Sequence, residues 1–168
     1  MRYFFAAIIL VMLGGCGYHV TGSAENRLDS GQSLWVAFIA NETISPSAQT
    51  VIRRALLEEG HAMRGLVPAR SQAEGALQVT GTLRSYSNRA ISYMVTDRVK
   101  EYRLTIDVEL ELRRKGSGAP VWKGMLQSGQ DYPASPDLAL QRYAEEAALA
   151  AASRILAQKF LTAVEQSY

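Results

Sequence analysis

The sharpest pattern in the chain lies between Tyr102 and Arg113. Tyr102, Leu104, Ile106, Val108, Leu110 and Leu112 alternate with Arg103, Thr105, Asp107, Glu109, Glu111 and Arg113. A period of two puts alternate side chains on opposite faces of a strand, whereas a helix would scatter these charges around its surface. Leu77, Val79, Gly81 and Leu83 alternate in the same way with Gln78, Thr80, Thr82 and Arg84, which predicts a second half-buried strand. Lys115 to Pro120 supplies a turn, and Val121 to Gln127 returns as another strand with Trp122 as a packing residue. Leu34 to Ala40 is apolar on both faces and short, so it reads as a buried strand. A weaker segment from Ala62 to Val67 reads as a short strand ended by Pro68.

Two segments carry helical spacing. Asn41 to Ser45 turns the chain, and Ser45-Pro46 offers a capping side chain followed by proline at the first helical position. Val51, Ile52, Ala55 and Leu56 follow at helical intervals, with Gly60 as a left-handed stop. Ser135-Pro136-Asp137 repeats the start signal before an alanine-rich helix that runs to about Val164. Its expected core stripe is Leu140, Ala144, Ala147, Ala148, Ala151 and Ile155, with Arg142, Glu145 and Glu146 outside. Strand, helix, strands, helix predicts an α+β fold: a two-layer sandwich with two helices packed on one face of a mostly antiparallel four-stranded sheet. The other face then presents Arg103, Thr105, Asp107, Glu109, Glu111 and Arg113 as a mixed-charge hydrophilic surface.

The first residues follow a different rule. Arg2 precedes the apolar run Phe4 to Leu13, and Gly14-Gly15-Cys16 comes next. A positive start, a short apolar core and small residues before a cysteine make residues 1–15 a signal peptide of the lipoprotein kind. The run is about half of the ~20 residues that a membrane-spanning helix needs. Cys16 is therefore the expected lipidation site, residues 16–32 a tether rich in Gly, Ser, Thr and Asn, and 33–168 a single sandwich domain. Gly17, rather than an aspartate, follows the cysteine, which favours a lipid-anchored position at the outer membrane, facing the periplasm.

Composition removes most alternatives. The 168 residues carry a net charge of only +2, which argues against nucleic-acid binding driven by bulk charge. One cysteine and two histidines exclude an intrachain disulfide and all but exclude a His/Cys zinc site. Gly31-Gln32-Ser33-Leu34-Trp35 lacks the last glycine of a nucleophile elbow, and no phosphate-binding loop, dinucleotide glycine pattern or zinc-protease motif occurs. His19 lies close to Cys16, His61 reads as a surface or capping side chain, and Glu58, Glu59, Glu145 and Glu146 fall where carboxylates are solvated. No catalytic residue, metal or cofactor is expected, and the chain does not read as an enzyme.

The run Cys16-Gly17-Tyr18-His19 after the lipobox, and Glu101-Tyr102-Arg103-Leu104 at the start of the long strand, resemble the LptE-type lipopolysaccharide-assembly lipoprotein family. The strand Leu34 to Ala40, the helix end Ile52 to Gly60, the strand Leu77 to Leu83 and the final helix follow in the family's order. The resemblance implies a non-enzymatic lipoprotein that plugs the outer-membrane β-barrel translocon LptD and assists its assembly. It also implies that Arg103, Thr105, Asp107, Glu109 and Glu111 face the barrel partner, since a plug must be polar where it meets a wet lumen. Lipopolysaccharide carries phosphates, so a contact surface should be basic. Arg84, Arg89, Arg98, Lys100 and Arg103 cluster around one strand connection, with Asp97 and Glu101 as partial offsets. Among them Arg89, Arg98 and Lys100 are the favoured lipopolysaccharide contacts. Arg113, Arg114 and Lys115 form a second cluster at the other end of the strand. The alternative reading is a periplasmic lipoprotein adaptor that activates a cell-wall synthase or pilots a secretin.

Overall fold

A computed structural model describes residues 28–167 of the protein. The expected signal peptide, the expected lipidation site Cys16 and the Cys16-Gly17-Tyr18-His19 run lie outside the described residues. The elements in chain order are β1 (Ser33–Val36), β2 (Ala40–Asn41), α1 (Ala48–Arg64), β3 (Val67–Pro68), β4 (Leu77–Tyr93), β5 (Val99–Arg114), β6 (Trp122–Pro133) and α2 (Leu138–Gln166).

Helices and sheet form two layers, as expected, but the sheet is not four antiparallel strands. Among the described residues it has six strands in the order β3-β1-β4-β5-β6, with β2 also on β4. β1 pairs in parallel with both β3 and β4, and β2 is parallel to β4. Only β4, β5 and β6 form an antiparallel meander. The difference has a local cause: α1 is the crossover of a β1-α1-β3 unit, which returns the chain in the same direction. The two-residue strands β2 and β3 are too short to carry a period.

The run Leu34 to Ala40 is accordingly broken rather than continuous. β1 ends at Val36, the Ala37 amide donates to Val79 O at 2.9 Å, and Phe38 turns outward, 87% exposed. The Arg53 guanidinium covers the Phe38 ring at 5.3 Å while its Nε holds the Val36 carbonyl at 2.8 Å. Val36 and Ile39 remain in the core.

α1 differs from expectation at both ends. It starts at Ala48, and Ser47 at the N-cap position makes no side-chain cap. The preceding turn is tied instead by Asn41, whose Nδ2 donates to Ser45 O at 2.6 Å and whose Oδ1 accepts the Thr43 amide at 2.9 Å. Nor does Gly60 stop the helix; Gly65, at φ 65°, does. Gly60 is buried within α1 because a Cβ there would stand 2.9 Å from Leu34 Cδ2, so it is where the helix closes on β1. Ala62 to Arg64 are thus helical, and the short strand is only Val67–Pro68.

α2 begins two residues later than the Ser135-Pro136 signal places it: Asp137, not Ser135, is the N-cap, and its carboxylate accepts the amides of Ala139 (2.8 Å) and Leu140 (3.2 Å). Its buried stripe shares only Ala148 with the expected one. Ala148, Leu149, Ala152, Ser153, Leu156, Ala157, Phe160, Leu161 and Val164 are buried, while Leu140 and Ala147 are exposed and Ala144, Ala151 and Ile155 lie at the margin. Apolar residues surround most of this helix, so several stripes fit the same period, and the bulky set of Leu149, Leu156 and Phe160 decides. Phe160 meets Trp122 edge-to-face at 5.3 Å, which seats α2 on β6. Glu145, expected on the wet side, is half-buried and accepts the Tyr86 hydroxyl at 2.5 Å. Glu59 also leaves solvent: it accepts from Gln158 at 2.9 Å and lies 3.6 Å from Arg154, joining α1 to α2.

β5 carries the core. Leu104, Ile106, Val108, Leu110 and Leu112 are buried beneath the helices together with Leu77, Val79 and Leu83 of β4. Its odd residues point to the uncovered face.

Candidate interaction face

The register of the meander builds that face row by row. Arg103 stands opposite Arg89 on β4 and Asp131 on β6; Thr105 lies between Ser87 and Gly129; Asp107 lies between Ser85 and Gln127. Further along, Glu109 lies between Thr82 and Met125, and Glu111 between Thr80 and Lys123. Paired residues of antiparallel strands share a face, so one period-two strand imposes its polarity on both neighbours.

Most charge on this face is internally matched. Arg103 grips Asp131 with two bonds, 2.6 and 2.7 Å. Arg84 reaches Glu109 at 2.7 Å and Glu42 at 2.5 Å, and Lys123 stands 3.3 Å from Glu109 and 3.8 Å from Glu111. Gln127 donates to Asp107 at 2.7 Å, and Arg113 pairs with Glu111. The Arg103 guanidinium holds the Asp131 carboxyl below the usual carboxylate range, and Arg84, then Lys123, do the same for Glu109.

Small side chains leave a depression between two of these rows. Ser85, Ser87, Arg89, Ile91, Arg103, Thr105, Asp107 and Gln127 line a trough of about 330 Å3. Its neighbour strand comes close at Gly129, where a Cβ would lie 2.9 Å from Leu104 O. On the helix side of the same strands a few polar contacts join the apolar core: burial and Glu145 push the Tyr86 phenol up, and Tyr132 stacks on Tyr102 with ring centres 5.6 Å apart while its hydroxyl accepts from Asn88.

Beyond the trough β4 and β5 close in a tight hairpin. The Met94 amide donates to Arg98 O at 2.7 Å and the Asp97 amide to Met94 O at 3.1 Å, with Asp97 in the left-handed region at φ 56°. Val95 is fully exposed, Tyr93 is 62% exposed, and Met94 and Ile91 are also open to solvent.

The structure brings Arg89, Arg98 and Lys100 to the hairpin half of the molecule, and none of these three side chains has a hydrogen-bond or ion-pair partner among the described residues. Arg84 does not join them: it lies down the sheet between two carboxylates. In the second basic cluster Arg113 is paired, Lys115 donates to Ala73 O at 2.6 Å and Arg114 is engaged as well. Arg103, Thr105, Asp107, Glu109 and Glu111 all lie on the uncovered face. Sequence reasoning missed Asp131, Gln127, Gly129, Ser85 and Ser87, which join the face only through strand register. The alternation of Leu83, Ser85 and Ser87 with Arg84, Tyr86 and Asn88 also misleads, because the break in register between Leu83 and Ser85 moves the polar set to the other parity. Among the described residues no cluster of His, Cys, Asp or Glu is arranged to hold a metal ion.

Comparison with known proteins now adds to this geometry. No curated protein sequence matches the chain significantly. Solved structures do match its fold. A chain described as a lipoprotein of Caulobacter crescentus CB15 superposes with a TM-score of 0.56 at 14% identity, covering 78% of this chain and 86% of that one. A hypothetical protein of Chlamydia trachomatis gives 0.55 at 8% identity over 81% and 96%. Rare lipoprotein B of Shewanella oneidensis gives 0.51 at 18% identity over 81% and 96%. At such identities the likeness is one of fold. The family model for LptE, lipopolysaccharide assembly, matches residues 31–164, nearly the whole described domain. This chain belongs to the LptE lipopolysaccharide-assembly family.

Proposed function

We propose that this chain is the lipoprotein subunit of the lipopolysaccharide export translocon of the outer membrane, anchored through a lipidated Cys16, facing the periplasm and plugging the β-barrel LptD. The observation that carries the reading is the self-neutralised polar face over an apolar core. A barrel lumen is wet and polar, and a plug that entered it with unmatched charge would leave ions desolvated without partners. Here Arg103–Asp131, Arg84–Glu109 and Lys123–Glu109 match charge before any partner arrives. The role is one of packing and assisting barrel assembly, without catalysis.

Lipopolysaccharide itself is the second ligand in this proposal. Among the described residues no carboxylate holds Arg89, Arg98 or Lys100 on the hairpin half, and phosphate is the anion an arginine fork fits best.

Affinity purification of the tagged lipoprotein from gently solubilised outer membranes tests the reading. A single large β-barrel bound at about one to one, lost on combined reversal of Asp107 and Glu109 to Lys, is the expected result. Recovery of a cell-wall synthase domain or a secretin ring, or an unchanged barrel complex in that variant, would overturn the plug orientation.

A further inference from the structure

β4 has a second neighbour over only part of its length. Its outer side pairs with β1 at Leu77 to Val79 and with β2 at Thr82 and Leu83, after which Asn41 ties a turn that leads away to α1. Between the register breaks at Leu83/Ser85 and Ala90/Ser92, Ser85 to Ala90 lie in unbroken register on β5 and, among the described residues, pair with no other strand. The direction of the free groups follows from the strand itself. Val79 O accepts the Ala37 amide and Leu83 O the Glu42 amide, so residues of β4 that face the helices turn their backbone groups to this outer side. Past the break those residues are Tyr86, Asn88 and Ala90, opposite Ile106, Leu104 and Tyr102. The outer side of β6 is better covered, since Lys159 of α2 donates to Gln127 O there at 2.8 Å. Proline and lysine, which commonly guard an open edge, do not occur from Ser85 to Ala90. Beside Tyr86 opens a groove of about 300 Å3 between the turn before α1 and the start of α2, with Ile44, Pro46 and Leu149 in its lining and Arg142 and Glu146 among its polar residues. Ile44 is 96% exposed.

We infer that this edge receives an extended segment of the barrel partner, which adds a strand to β4 where β2 leaves off. The inference rests on the plug reading above and deepens it. The partner's backbone bonds to Tyr86, Asn88 and Ala90, and its side chains on the helix side, apolar ones, enter the groove beside Ile44 and Leu149. A row of N–H and C=O groups at the repeat of a strand is matched by another extended backbone, which makes the occupant a polypeptide. A second copy of this chain is the poorer match. Ser85 to Tyr93 holds Arg89 and no carboxylate, so laying two such edges together brings arginine toward arginine with nothing to offset it.

Residue-resolved amide hydrogen exchange of the full chain, free and in the copurified barrel complex, tests this. In the complex the amides of Tyr86, Asn88 and Ala90 should exchange about a hundredfold more slowly, whereas those of Ser87 and Arg89, which already point to β5, should not change. Ala90→Pro removes one outward amide and should reduce the recovered complex about tenfold, whereas Ala90→Ser, which keeps that amide, should leave it intact. The exchange is read on the wild type, so it decides the matter even where the proline variant fails to fold. A barrel complex in which the three amides exchange as in the free chain, or one that tolerates a folded Ala90→Pro, would overturn the added strand and leave the plug reading standing. Recovery of no barrel would overturn both. Slow exchange of the three amides in the free chain would also overturn the inference. It would assign the edge to a second copy if the protection falls on dilution, and to the residues before Leu28 if it does not.

Discussion

Arg89 and Arg103 face each other directly across β4 and β5, yet only Arg103 has a carboxylate, the bidentate Asp131 on its far side. Like charges directly opposite on paired strands repel, and Asp131 is what makes this pair tolerable. Asp131→Asn should therefore lower the urea midpoint, and Arg89→Ser in that background should restore part of it. A cycle of the four proteins in urea checks this; strictly additive effects would show that the two arginines do not sense each other.

The same pairing sets a pH dependence. Asp131 and Glu109 have carboxyls lowered in the folded state by Arg103 and by Arg84 with Lys123. A depressed folded pKa gives stability that is present above the unfolded value, about pH 4, and lost as pH falls through the lower folded value. The urea midpoint should drop as the pH is taken below about 4. Asp131→Asn should flatten part of that drop, with Trp35 and Trp122 fluorescence as the readout. An identical acid profile in the variant would remove Asp131 from the account.

Packing of α2 gives a contrast within one helix. Leu156 is fully buried, so Leu156→Ala should cost about 2–5 kcal/mol, whereas Leu140→Ala, on the exposed first turn, should stay within about 0.5 kcal/mol. Denaturant unfolding of both variants decides whether the buried stripe is the one described.

Ser153 is buried on that stripe and its hydroxyl has no hydrogen-bond partner among the described residues. Replacing an unsatisfied buried hydroxyl with a methyl group removes a desolvation cost. Ser153→Ala should leave stability unchanged or raise it by up to about 1 kcal/mol, measured by the same unfolding curves.

Gly81 lies where β4 is tight against β5. A Cβ there would lie 2.5 Å from Leu110 Cδ2 and 2.7 Å from Glu109 O. Gly81→Ala should destabilise by about 1–3 kcal/mol through overpacking against backbone that cannot yield. Thermal unfolding would show it.

Where the sequence could be read, it was because one period had one solution. In β5 each even residue from Leu104 to Leu112 is buried, since a strand offers only two faces and the charges fix which is wet. The run Ser135-Pro136-Asp137 likewise marks the start of α2 to within two residues, because a cap works through its nearest amides alone, although the side chain that caps is Asp137 and not Ser135. Reading failed where the answer depended on distant parts. Nothing in Ser33–Val36 says that its neighbours run parallel; that follows from how α1 returns the chain. Gly60 has the composition of a stop but the surroundings of a close contact, and only Leu34 distinguishes the two. The stripe from Ala148 to Val164 could not be picked out of an alanine-rich helix before the sheet beneath it was known. The interaction face divides in the same way. Its central row was visible as alternation, while Asp131, Gln127 and Gly129 reached it through a register set by three strands together.

The chain enters the fold at the end of the sheet where Leu34 pairs with Leu77, and Gly31 bonds to Gly65 there at 3.0 Å. The hairpin turn lies at the other end of β4, so the seventeen residues of that strand put heel and toe about 50 Å apart. Whatever restrains the residues before Leu28 holds the molecule by its heel. A rotation of about 10° there carries the toe through about 9 Å, roughly two strand spacings. The long meander is thus a lever, and a small adjustment at the attached end becomes a large displacement of Tyr93, Met94 and Val95.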